Sequence, residues 1–164
     1  MLDRWGAVIA VTLAAVPVAA LLVWTRSARR GWRNPTLEAV LVLGTLPWLW
    51  MVLTPRGSGR ALDLVPFADL AGQLSAASAV EQIGGNLLVF AALGAAAPMR
   101  WGLGWRVVAL AAAGSVAIEI VQYVLAIGRV SSIDDVLLNV VGAALAAAAT
   151  RLWWRAGWSD AGHR

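Results

Sequence analysis

Five long apolar runs, joined by short polar or arginine-bearing segments, dominate the chain: about residues 5–24, 37–53, 83–99, 107–127 and 133–154. A helix rises about 1.5 Å per residue and needs about 17–25 residues to cross a hydrocarbon core, and each run falls in that range. The pattern predicts an all-α, polytopic transmembrane helix bundle of about five transmembrane helices, forming a single membrane domain over residues 1–164. Pro17 lies inside the first run, where neighbouring helices tolerate a kink. That run reads as a membrane helix and not as a cleaved secretory signal. Its leading residues, MLDR, carry no net charge, whereas Arg26, Arg29, Arg30 and Arg33 follow it. Between the second and third runs, residues 56–82 carry Arg60, Asp63, Asp69 and Glu81 and are too polar to cross. Within them Phe67, Leu70, Leu74 and Ala77 recur at helical spacing. This suits a short interfacial helix over about residues 66–80 as well as it suits an ordinary connecting loop.

Composition agrees with a membrane chain. Sixty per cent of the 164 residues are hydrophobic and 13% are charged, with a mean hydropathy of +0.74; a soluble domain carries about 25% charged residues. All thirteen basic residues are arginine, and they flank the apolar runs, so the pI near 11.3 points to no nucleic-acid partner. The chain has no cysteine, which removes disulfides and thiolate chemistry, and no lysine, which removes Schiff-base chemistry. His163, the single histidine, lies in a polar tail where a Ser-His-Asp mechanism has no use for it.

Arginine also sets an expected orientation. Arg26, Arg29, Arg30 and Arg33 follow the first run, Arg100 and Arg106 follow the third, and Arg151, Arg155 and Arg164 end the chain. Alternation puts these regions on one side, and the positive-inside rule makes that side cytoplasmic, with the N-terminus outside and the C-terminus cytoplasmic. The ten tryptophans fall near run ends, as an interfacial anchoring belt requires.

Polar residues inside apolar runs are costly, so their positions carry information. Ser115, Glu119 and Gln122 share one face of the fourth run, Asp135, Asn139 and Gly142 one face of the fifth, and Asn86, Phe90 and Gly94 one face of the third. In the orientation above, all three sets bring their polar members to a similar depth near the outer surface. Facing inward together satisfies them, and Gly94, Gly114 and Gly142 let the helices approach. Each also has a plainer reading. Ser132 and Asp135 form a capping box, Asp134 is a solvated neighbour, Arg129 faces headgroups, and Asn86 and Asn139 are interhelical glue. Glu119 is the hardest to explain in that way, because it lies mid-run where no cap is available.

These residues, in this order and spacing, resemble the VanZ-like family of small bacterial membrane proteins. The resemblance rests on Asn86 through Gly94, on Glu119 with Gln122, on Gly128 with Arg129, and on Asp134 and Asp135 with Asn139 and Gly142. Leu64, Val65, Pro66 and Phe67 give a shorter echo, with Asp63 where the family usually has asparagine. Ser132 stands where members often carry a further acidic residue, which weakens a metal-ligand reading. The matching core covers about residues 36–154, so the helix at residues 5–24 is an addition to it. The resemblance implies a multi-pass protein of the bacterial plasma membrane acting at the cell envelope. The family's namesake is associated with resistance to the glycopeptide antibiotic teicoplanin.

The reading that follows is a protein without a resident cofactor, non-enzymatic or weakly catalytic. Its outer-leaflet pocket recognises an amphiphile: a lipoglycopeptide, a lipid-linked wall precursor or a phospholipid among the membrane lipids. Its candidate ligand-binding residues are Asn86, Glu119, Gln122, Arg129, Asp134, Asp135 and Asn139, with Arg129 meeting an anionic group through its planar fork. The alternatives are a membrane enzyme acting on a lipid phosphate or diphosphate, with Asp134, Asp135 and Glu119 holding magnesium, and a purely structural scaffold.

Overall fold

A computed structural model of the protein describes residues 2–67 and 79–159. The interfacial helix expected over 66–80 lies mostly outside the described residues, as does His163. The described chain is mainly helical: α1 (Leu2–Arg30), α2 (Arg33–Leu53), the strand β1 (Gly59–Asp63), α3 (Ala79–Val89), α4 (Ala91–Trp101), α5 (Arg106–Leu125), the strand β2 (Ile127–Ser132), α6 (Ile133–Ala149) and α7 (Arg151–Ser159).

Among the described residues four stretches are long and apolar enough to cross a membrane: Trp5–Arg29, Arg33–Leu53, Ile83–Trp101 and Arg106–Leu125. The third is interrupted at Phe90, whose φ of −115° and ψ of 11° separate α3 from α4. The fifth expected span is shorter than the sequence suggests. α6 has 17 residues and stops at Thr150, whose hydroxyl donates to the carbonyl of Ala146. The chain then restarts as α7, held back against the bundle by Trp154, whose indole N–H donates to the Ala147 carbonyl at 3.0 Å. Trp154 is therefore buried, edge-on to Trp105 with ring centroids 6.1 Å apart, and does not belong to an exposed aromatic belt. Trp101, Trp105 and Trp153 do remain exposed.

Small residues explain how the helices pack. α6 lies against α3, α4 and α5. A methyl group on Gly142 would overlap the Leu87 backbone carbonyl, and one on Gly94 would overlap that of Ala143. Gly114 receives the Phe90 ring, 3.0 Å from where its Cβ would stand. Backbone thus meets backbone, and Ala96, Ala97, Ala111, Ala143 and Ala147 complete two core clusters around Val89 and Val107. With lipid as apolar as leucine, such close van der Waals packing is what holds transmembrane helices together. α1 packs on α2 and leaves Leu13, Val18 and Leu22 exposed, as a lipid-facing helix would.

The bundle is helical as expected, and a two-stranded ribbon adds to it. Residues 59–63 and 127–132, read from the sequence as part of a polar link and as a turn, pair in parallel, with Ala61 opposite Val130, Leu62 opposite Ser131 and Asp63 opposite Ser132. The cause is topological. α2 and α5 both finish at the same end of the bundle, so the chains leaving them run in the same direction, with α3, α4 and α5 forming the long crossover that parallel strands need. Arg56 N–H donates to Ile127 O at 2.9 Å and Gly59 N–H to Ala126 O at 3.1 Å, closing the start of the ribbon. Gly128, at φ +69°, crosses the Gly57 backbone too closely for any side chain.

Candidate functional site

The ribbon forms a lid over one end of the bundle, and most of the sequence-predicted polar residues meet beneath it. α6 begins where β2 ends. The Ser132 hydroxyl accepts from Asp134 N–H at 3.1 Å, so the expected cap is present but serves Asp134, not Asp135. With the cap supplied by serine, both aspartates are released for other partners. Asp134, buried at 2% exposure, accepts from Phe67 N–H at 2.7 Å, which ties the Pro66–Phe67 turn to the start of α6. Phe67 has a positive φ of 67°, an uncommon conformation for a bulky residue. Asp135 points elsewhere, accepting from the Asn86 side-chain amide of α3.

Glu119 of α5 reaches the same region from the other side. Its carboxylate accepts from Ser132 N–H at 3.0 Å, and its main-chain carbonyl accepts from the Ser131 hydroxyl at 3.0 Å. The mid-helix carboxylate that sequence could not explain therefore anchors β2 to α5. Arg129 of β2 is close enough to both Asp135 and Glu119 to feel their charge. Burial lowers its proton affinity below that of an ordinary guanidinium, and Arg56 adds repulsion; Asp135 and Glu119 act in the opposite direction. Its buried Nη1 has no hydrogen-bond partner among the described residues.

Asn86, Asp135, Arg129 and Glu119 thus form one cluster. The remaining candidates lie apart from it. Gln122 donates to Val52 O of α2 at 2.8 Å, and Asn139 donates to the Ser115 hydroxyl at 2.7 Å, so both work as interhelical ties. Each nevertheless leaves its side-chain oxygen buried and, among the described residues, without a partner. Together with Arg129 Nη1, this is spare hydrogen-bonding capacity of a kind buried polar groups rarely retain.

Beside the cluster is a cavity of about 400 Å³, within the range of small-molecule sites. Val116, Ile120 and Tyr123 of α5, Val136 of α6, and Leu62 and Leu64 from β1 and its exit supply most of its wall. Of the seven candidate residues only Glu119 lines it, with Ser131 and Ser132 at the ribbon edge. Two arginines that sequence reading passed over also stand at this end. Arg60 lies over the Tyr123 ring, 5.8 Å from its centroid, and Arg56 over that of Trp5 at 5.9 Å. Their signal is faint in the sequence, because both fall in a link whose fold depends on a strand more than sixty residues away. Among the described residues no three histidine, cysteine or acidic groups converge as a metal-ion cluster. The successive Asp134 and Asp135 diverge to different partners.

Comparison with curated proteins and with solved structures gave no match. A family model described as VanZ/LLP1 matches residues 18–154. The match starts inside α1, so it takes in part of the helix that the resemblance had set outside the core, and ends at Trp154. It includes the ribbon, the polar cluster and every candidate residue. The chain is a membrane protein belonging to the VanZ/LLP1 family.

Proposed function

We propose that the protein acts at the cell envelope by recognising an amphiphilic molecule at the ribbon end of the bundle. The apolar part lies in the cavity between α5, α6 and β1, and the polar head meets the cluster of Arg129, Glu119, Asp135 and Asn86. Candidate ligands are a lipoglycopeptide antibiotic, a lipid-linked wall precursor or a phospholipid, and capture of the first two would give resistance to agents that act at the cell surface. The arginine distribution supports an orientation with the ribbon toward the outer leaflet: nine of the thirteen arginines flank the opposite ends of the helices.

The observation that carries this reading is a mostly apolar cavity beside a cluster in which the buried Nη1 of Arg129 has no hydrogen-bond partner among the described residues. An unmade buried hydrogen bond costs about 1–3 kcal/mol, and a ligand oxygen that met this N–H would recover that cost. Here Arg129 Nη1 is a donor in waiting for an anionic or carbonyl oxygen.

Arg129→Ala and Glu119→Gln proteins, expressed at matched membrane levels, test the reading. The expected result is loss of the co-purifying amphiphile in native mass spectra, together with loss of protection against cell-surface agents wherever wild type confers it. Variants that insert normally and retain both would overturn it.

A further inference from the structure

The cavity wall is apolar apart from Glu119, Ser131 and Ser132, so an anionic group of a bound amphiphile finds no cation in the wall itself and meets one only beside it. One exposed cation is fixed there. Arg60 stands over the ring of Tyr123, itself a wall residue, and its Nη2 donates to the Val124 carbonyl at 3.3 Å. Two weak restraints thus hold a long, otherwise mobile side chain beside the opening, and the residue stays exposed. The ribbon register adds a second cation. Arg60 falls in the irregular step between the pairs Gly59–Ile127 and Ala61–Val130, across from Gly128 and Arg129. Arg56 is close enough to Arg129 to repel it. The ribbon end therefore gathers three arginines, of which Arg129 is half-buried near Asp135 and Glu119 and Arg60 is exposed.

We infer that Arg60 is a specificity-determining residue, which selects a membrane lipid with a net-negative phosphate head over one with a zwitterionic head, while the cavity holds its chain. A planar guanidinium beside an apolar groove suits a phosphate oxygen, and a zwitterionic head would bring an ammonium group toward three arginines. This inference rests on the proposed amphiphile site and adds to it the charge of the head and the residue that reads it.

Purified protein, equilibrated with equal amounts of phosphatidylglycerol and phosphatidylcholine bearing identical acyl chains, can be examined by native mass spectrometry. Wild type is expected to retain phosphatidylglycerol about three- to fivefold better, the scale of one exposed charge pair. Arg60→Gln should bring the ratio close to one while keeping bound lipid. Tyr123→Leu, which removes the ring under Arg60 at an exposed position, should lower the ratio part of the way. Val116→Trp, which fills the cavity, should abolish retention of both lipids. A preference unchanged in Arg60→Gln, with retention lost in Val116→Trp, would overturn this inference and leave the amphiphile site standing. Undiminished retention in Val116→Trp would overturn both.

Discussion

At the end of the bundle where α1 turns into α2, Glu38 accepts from Arg100 through Nε at 3.1 Å and Nη2 at 2.8 Å, and from Arg26 through Nη1 at 3.3 Å. One carboxylate there serves two arginines on two other helices. At the opposite end, beneath the ribbon, Glu119 and Asp135 share a cluster with Arg129, yet Nη1 of Arg129 has no partner among the described residues and a cavity opens alongside. Both ends contain acidic and basic groups from several helices. The first is a clamp, because its charges find each other across a half-exposed surface; the second leaves polar capacity over, because its charges are divided between backbone anchors and buried side chains. What distinguishes the ribbon end is the combination of an unmade arginine hydrogen bond with an adjoining cavity.

Between the two ends lies the glycine–alanine seam, and the largest effect is expected there. Gly142→Val places a branched side chain against the Leu87 carbonyl. Overpacking of backbone on backbone should cost about 3 kcal/mol or more and remove most folded protein from the membrane; measured abundance and melting temperature check this. At the ribbon end, Asn86→Ala takes a donor from Asp135 and should destabilise by about 1–3 kcal/mol. Ligand retention should fall at the same time, which native mass spectrometry at matched protein levels would reveal. Ser132→Ala removes the cap from Asp134 N–H and should cost about 1 kcal/mol, read as a lower melting temperature. Glu38→Ala should have the smallest effect, below about 1 kcal/mol, because Glu38 and both arginines are partly exposed. That variant should bind ligand as wild type does, and a loss of binding there would erase the distinction between the two ends.

The helices and their small-residue contacts were legible because both depend on local pattern. Apolar runs of spanning length announced α1, α2 and α5, and Gly94, Gly114 and Gly142 stand where neighbouring helices touch. Asn86 and Asp135 meet as shared depth suggested, and Asn139 meets Ser115 on α5. The ribbon was not legible. Gly59–Asp63 is short, exposed and polar, so it has no alternation to announce a strand, and its pairing depends on two distant helices ending side by side. The breaks at Phe90 and Thr150 were hidden for a similar reason, since hydrophobicity continues through both. Glu38 passed unremarked because a lone carboxylate near a helix start looks like any other, and its two arginine partners come from α1 and α4.

The central claim is that the ribbon end is a binding site and the opposite end is not. The most direct test is native mass spectrometry of protein released from its own membrane, comparing wild type with Val116→Trp. The expected result is a discrete lipid-sized adduct on wild type that is missing from the variant, with both proteins equally folded. An identical adduct on both, or none on either, would contradict the claim.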